Sequence, residues 1–363
     1  MEYLLMFSLP FVLSYLLTPL MRWIAVKLNI MDQPGHRKIH TVPKPRFGGT
    51  GMFISLILSL SVAYRLGLVS GDFQDEIKVF LIGSSMVFAT GLLDDIFNLK
   101  PWIKLAVEIL AAAVLVFHGI RISLFIQNVY ISGLLTVLWI ISITNSFNLL
   151  DNMDGLCAGT GAISCFIFFL VYQRQGLADL SLLLVVIIGI LTAFLRFNFY
   201  PSTIIMGDSG ALLVGFLIGG ISCMGTYLKG SLLTHLPVIT PLLILGVPIF
   251  DTLSVIYIRL RQHRSIFSAD KNHFSHRLVR LGMSQPAAVL FIYLVSFCAG
   301  ITSILLPRVS REDAIVILIQ VLTVFAIIVF LMVVKGQDLK KKLRARETIS
   351  ENNSGGKEKE LQE

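Results

Sequence analysis

Residues 130–173 read YISGLLTVLWIISITNSFNLLDNMDGLCAGTGAISCFIFFLVYQ. Two apolar runs, 130–148 and 156–173, flank a link that places Asn145, Asn148, Asp151 and Asp154 three residues apart. Each run approaches the roughly 20 residues that cross a hydrocarbon core, so lipid is the solvent that this stretch anticipates. The whole chain agrees. Of its 363 residues 55% are hydrophobic and 14% charged, with a mean hydropathy of +0.80, whereas a soluble domain carries about 25% charged residues. The formal net charge of +8 is gathered in a few loops, which is how membrane topology is encoded, so nucleic acid is not an expected partner.

Working outward from that link, apolar runs of span length recur at 3–23, 49–66, 78–93, 103–119, 130–148, 156–173, 179–195, 210–227, 236–258, 286–306 and 313–334. The expectation is an all-α polytopic membrane protein of about 11 transmembrane helices. Loop 24–48 carries Lys27, Arg37, Lys38, Lys44 and Arg46, and loop 259–285 carries Arg259, Arg261, Arg264, Lys271, Arg277 and Arg280. Short basic loops stay in the cytoplasm, so both face inward, the N-terminus lies outside and the C-terminus is cytoplasmic. The loops near 94–102, 149–155 and 196–209 then fall on that same inner face. Residues 1–335 form the multi-pass domain, and 336–363, polar and without aromatics, form a disordered cytoplasmic tail. The first residues have no basic region before their apolar run and no small-residue cleavage site after it, which argues against a cleaved signal. Cys157, Cys165, Cys223 and Cys298 make no CxxC pair and are expected to be inert core residues.

A step of three residues turns a helix by about 300°, so Asn145, Asn148, Asp151 and Asp154 form a slanting stripe at the inner end of the fifth span. Helix ends entering water also use Asn and Asp as caps, and that simpler reading stands beside the functional one. GLLDDIFN at 91–98 adds the pair Asp94 and Asp95, with Asn98 on their helix face and Lys104 following. Adjacent carboxylates repel unless water or a cation screens them. MGDSG at 206–210 sets Asp208 between Gly207 and Gly210, glycines that let backbone approach a ligand, before a helix start whose N–H groups suit phosphate or whose Asp208 or Ser209 simply caps. Asp251, inside the ninth span, is costly without a partner. The basic loops contain His40, His273, His276 and the pair Gly48 and Gly49, for which charge orientation has no use. Hard oxygen ligands amid cations suit Mg²⁺ held by one or two carboxylates plus substrate phosphates. Phosphoryl transfer asks for that kind of positioning and charge neutralisation.

PRFGG at 45–49, DDIFN at 94–98, NSFNLLDNMDGL at 145–156 and MGDSG at 206–210 occur in the order of a known family, with HFSHR at 273–277 as a looser fifth motif. Over about residues 1–335 the chain resembles the polyprenyl-phosphate N-acetylhexosamine-1-phosphate transferases (glycosyltransferase family 4), nearest the bacterial undecaprenyl-phosphate GlcNAc-1-phosphate transferases. The resemblance implies transfer of a sugar-1-phosphate from a UDP-sugar to undecaprenyl phosphate in the bacterial inner membrane. UMP is released, and the reaction depends on Mg²⁺, with Mn²⁺ as a substitute. It makes Asp208 and Asp151 the metal ligands with Asn148 beside them. Asp94 and Asp95 become the acidic pair that handles the lipid phosphate or its proton, and these four carboxylates form the catalytic set. It sets Asp154 near the uridine and His273, His276 and Arg277 on the nucleotide sugar. Lys44, Arg46, Asn98, Lys104 and Asn145 complete the substrate-binding set, and a homodimer is the implied assembly.

Two positions depart from the family pattern. Ser275 replaces the middle His of HxHHR, and Asn152 stands where DGxDG has Gly. The first leaves the sugar open between GlcNAc and another UDP-sugar. The HHHFE pattern of the peptidoglycan translocase is missing, which disfavours UDP-MurNAc-pentapeptide. The reading from another class is a multi-pass transporter, but transporters set their intramembrane carboxylates near the midplane, whereas these cluster at helix ends.

Overall fold

The computed structural model describes residues 1–33, 42–122, 128–227, 239–265, 272–306, 309–310 and 312–335. His40 and the tail at 336–363 lie outside the described residues. The helices are α1 (Glu2–Lys27), α2 (Gly48–Arg65), α3 (Gln74–Phe97), α4 (Pro101–Phe117), α5 (Val129–Leu150), α6 (Leu156–Gln175), α7 (Ala178–Asn198), α8 (Gly207–Tyr227), α9 (Ile239–Ile244), α10 (Gly246–Arg261), α11 (Phe274–Arg280) and α12 (Gln285–Ile301). A further helix, α13, spans Glu312–Lys335. In lipid the backbone must satisfy its own polar groups, and a helix does so within one segment. The protein is an all-α polytopic membrane protein.

Among the described residues eight helices are long and apolar enough to cross a membrane: α1, α3, α5, α6, α7, α8, α12 and α13. Three of the eleven expected spans fall short of that measure. α2 has the length, 18 residues, but its ends, GGTG and Arg65, are not apolar enough, α4 has 17 residues, and of the run expected as one span at 236–258 the described part, 239–258, is two helices parted at Leu245. Pro241 and Pro248, near that break, each lack a backbone donor, which weakens a continuous ladder.

α8 is the centre of the bundle. Its span is 94% buried against 22% for α13, and it packs on α2, α3, α5 and α6. Small residues permit that closeness. A Cβ on Gly215 would stand 2.6 Å from the Thr144 backbone on α5, and one on Gly49 would stand 2.2 Å from the Gly210 N. The glycines of PRFGG and MGDSG therefore meet each other. Gly210, expected to let backbone approach a ligand, instead lets α8 approach α2. Cys157, Cys165 and Cys223 are buried, but Cys298 is exposed on α12, so the expectation of four core cysteines holds for three.

The one sheet among the described residues is short: β1 (Met31–Asp32) pairs antiparallel with β2 (Lys44–Pro45), Met31 opposite Pro45. A parallel bridge from Arg46 to Ile205 and the bond from the Ile205 N–H to the Pro45 carbonyl (3.0 Å) dock this hairpin against the chain that enters α8. The hairpin thus carries Lys44 and Arg46 to the start of α8.

Candidate active site

The ends of α3, α4 and α5, the start of α8 and the β2 hairpin converge on one cluster of charge. Lys104 on α4 donates to Asp94 Oδ2 at 3.0 Å and to Asp208 Oδ2 at 2.7 Å, so one ammonium bridges two motifs 114 residues apart. Asp94 also accepts from the Leu99 N–H at 2.7 Å, which ties it to the turn after α3. Arg46 reaches Asp32 and Asp95 at 3.5 Å each and Asp208 at 3.6 Å. Burial alone would lower the basicity of its guanidinium, but Asp95, Asp32 and Asp208 outweigh that and raise it, so Arg46 stays charged.

Asp95 has a different task from its neighbour. Its carboxylate accepts from the Asp208 N–H at 2.8 Å, the Ser209 N–H at 3.1 Å and the Ser209 Oγ at 2.7 Å. The start of α8 was expected either to offer free N–H groups to phosphate or to be capped by its own Asp208 or Ser209. Instead α3 caps α8, and the first N–H groups are already taken. Gly207, at φ +74°, makes the turn possible, because a Cβ there would lie 2.5 Å from Asp95 Oδ2.

Asp151, just after α5, has no hydrogen bond to its carboxyl among the described residues, and the Asn148 side chain has none either. Burial pushes the Asp151 carboxyl up to about 8, and the Asp208 and Asp95 carboxylates add to the push. Among the described residues Asp94, Asp95 and Asp208 pair with Arg46 and Lys104, and the Asp151 carboxyl has no ion pair. That surplus of hard, negative oxygen is what a divalent cation relieves. Among the described residues no three His, Cys, Asp or Glu side chains form a ready metal cage. The donor set fits Mg²⁺, which keeps several waters and needs only one or two carboxylates from the protein.

Asp154 stands apart from that centre, gripped by Lys44 Nζ at 2.9 and 3.1 Å and by the Ser202 N–H at 3.0 Å, with Ser202 Oγ also on Lys44 at 2.7 Å. The expected stripe on α5 is not one surface. Asn145 turns away to hydrogen-bond Glu108 on α4 and the Ile141 carbonyl, while Asp151 lies near Asp208 and Asp95 and Asp154 on the hairpin. Asn98 is exposed and ends α3 at φ +50°, with no side-chain bond to the cluster among the described residues. On the other side, His273 Nδ1 lies 2.8 Å from Asp251 Oδ2, and Asp251 Oδ1 accepts from the Phe274 N–H at 2.5 Å. The isolated carboxylate of α10 thus has partners that hold α11. The rings of His276 and His273 are 6.2 Å apart, and Arg277 donates to Ser254 Oγ at 2.6 Å. Burial pushes the Arg277 guanidinium down, with Asp251 opposing.

A family model described as Glycosyl transferase family 4 matches residues 77–226, which contain Asp94, Asp95, Asp151 and Asp208. Over 328 residues the chain is 32% identical to the "Probable undecaprenyl-phosphate N-acetylglucosaminyl 1-phosphate transferase" of Bacillus subtilis, covering 88% of this chain and 87% of that protein. The chain belongs to glycosyl transferase family 4. Within glycosyl transferase family 4 it is also 32% identical to the decaprenyl-phosphate N-acetylglucosaminephosphotransferase of Mycobacterium leprae, over 82% of this chain and 83% of that one. Identity to the undecaprenyl-phosphate alpha-N-acetylglucosaminyl 1-phosphate transferase of Salmonella typhi is 26%, over 78% of each. The site of this family 4 member includes residues that motif reading passed over. Asp32 and Ser202 carry no spacing signal, because each is recruited by contact across the fold and not by its own segment.

Proposed function

We propose that the chain transfers N-acetylhexosamine-1-phosphate, with GlcNAc-1-phosphate as the first candidate, from a UDP-sugar to undecaprenyl phosphate. The products are the lipid-diphosphate sugar and UMP, and the reaction is the first membrane step of a cell-surface glycopolymer. The observation that carries this reading is the convergence of Asp94, Lys104, Arg46 and Asp208 at the ends of membrane helices, where a water-borne nucleotide and a lipid phosphate can meet. The names of the relatives agree with the acceptor and the sugar. The orientation we propose sets this face in the cytoplasm of a bacterial inner membrane, with the N-terminus outside.

Asp208 and Asp151, with Asn148 beside them, would hold Mg²⁺, which supplies charge neutralisation for the diphosphate. An oxygen of the lipid phosphate attacks the sugar-bearing phosphorus. The new P–O bond forms as the bond to the UMP oxygen breaks, and UMP leaves with that electron pair. Lys104 and Arg46 neutralise charge on the phosphates, Asp94 orients the lipid phosphate through Lys104, and Lys44 and Asp154 hold the uridine end. His273, His276 and Arg277 take the sugar side. Direct attack is favoured over a covalent aspartyl route because Asp95 is consumed by three hydrogen-bond donors and Asp94 by two.

The test is a panel of UDP-sugars, including UDP-MurNAc-pentapeptide, assayed with undecaprenyl phosphate and Mg²⁺ on detergent-solubilised protein. UDP-GlcNAc is expected to be the best donor. A different donor would change the sugar, and release of UMP from none of them would overturn the reading.

A further inference from the structure

The two motif positions at which the sequence departs from the patterns of the family it resembles, Asn152 and Ser275, touch each other. Ser275 Oγ donates to Asn152 Oδ1 at 2.5 Å, and Ser275 is only 1% exposed. The Asn152 amide is oriented by its other end, whose Nδ2 donates to the Leu149 carbonyl at 2.7 Å, so the oxygen is turned toward α11. The contact joins two pieces that are anchored separately. The 151–155 loop is held by Lys44 and Ser202 at Asp154 and by Asn198 and Tyr293 at Gly155. α11 is held on α10, through Asp251 and Ser254. Met153 and Phe274 meet in a shared apolar cluster, but apolar packing has no direction, whereas the hydroxyl–amide bond fixes a distance.

We propose that Asn152 and Ser275 are one positioning unit that sets the gap between the Asp151–Asp154 loop and the His273–Arg277 helix. Asn adds side-chain volume where the family pattern has Gly, and Ser removes it where the pattern has His, so the exchange keeps the gap filled. The ligand part of this inference rests on the transferase reading, under which the uridine end of the donor lies by Asp154 and the sugar end by α11. A change in the gap then alters donor fit and not the reacting groups.

A double-mutant cycle on the full detergent-solubilised chain tests this. Ser275→Ala and Asn152→Ala are each expected to raise the KM for UDP-GlcNAc about three- to tenfold, the effect of one lost buried hydrogen bond. The double variant should match the worse single variant, with kcat in all three within about twofold of the parent. Ser275→Thr, which keeps the hydroxyl, should restore the parent KM. Multiplying effects, or a loss confined to kcat, would overturn the pairing. Ser275→His should be harmful alone, since its ring meets the Asn152 oxygen, and adding Asn152→Gly should recover activity. A double exchange worse than Ser275→His would contradict compensation. The same cycle read as thermal midpoints without substrate should be non-additive too. That readout separates the two claims: non-additive midpoints in a chain that transfers from no UDP-sugar would keep the pair and remove the transferase reading, and additive midpoints would remove the pair.

Discussion

Asp95 on α3 and Ser209 on α8 are joined twice, through the Ser209 N–H at 3.1 Å and its Oγ at 2.7 Å, so the second member of the acidic pair holds a helix start in place. Since the Asp208 N–H is held by the same carboxylate, Asp95 sets where the Asp208 side chain emerges. Asp94 and Asp95 are neighbours in sequence with separate work.

The two members should therefore separate in stability. Asp95→Ala strips three hydrogen bonds and leaves Arg46 short of one partner, a loss of about 3–5 kcal/mol by the precedent of broken buried pairs. Thermal unfolding in detergent should show that loss together with lost transfer. Asp94→Ala should lower transfer with a smaller stability change, because its partner Lys104 retains Asp208. Equal destabilisation by both would argue against the capping role of Asp95.

Asp208→Asn should abolish transfer while the fold survives. An amide keeps the size and the hydrogen bonds of the backbone N–H to Asp95, yet removes a charge from a metal site that has few protein ligands. Near-normal turnover in the purified variant would remove Asp208 from the metal assignment.

Much of this architecture is legible in the chain because lipid is a strict solvent: a span must be long, apolar and helical, so helices sit at the expected runs. The same strictness makes Asp94, Asp151 and Asp208 stand out at helix ends. Other features depend on contacts that no local pattern encodes. Asp95 bonds groups 113 and 114 residues away, and Asn145, in register with Asn148, turns to Glu108 because α4 lies on that side. The break at Leu245 was hidden because both halves are apolar. Gly210 alone reads as a ligand glycine and Gly49 only as a residue for which charge orientation has no use, and their mutual approach reveals a packing role.

Lys44→Met should weaken donor binding. Without its ammonium Asp154 keeps the Ser202 N–H but loses its charged partner. The KM for the UDP-sugar should rise roughly tenfold, as for a lost hydrogen bond to a charged group, with kcat less affected. A fall in kcat at unchanged KM would instead put Lys44 at the reacting phosphates.

Asp151→Asn should trade activity for stability. The folded Asp151 carboxyl, at about 8, lies above its ordinary 3.8, so the native state holds the extra proton and stability from this group falls as pH rises between those values. In metal-free buffer the thermal midpoint of Asp151→Asn relative to the parent should climb through that window and level off above it, while transfer is lost. A midpoint difference independent of pH would contradict the burial of Asp151 and its crowding by Asp208 and Asp95.

The central claim is direct transfer onto a lipid phosphate. Its most direct measurement follows UDP-GlcNAc labelled in the sugar phosphate, with purified protein and Mg²⁺, in the presence and absence of undecaprenyl phosphate. Label should enter the lipid in step with UMP release, and without lipid there should be neither UMP release nor label retained on denatured protein. Lipid-independent exchange of UMP into UDP-GlcNAc, lost in Asp94→Asn or Asp95→Asn, would contradict direct attack, and no label in the lipid under any condition would contradict the transfer itself.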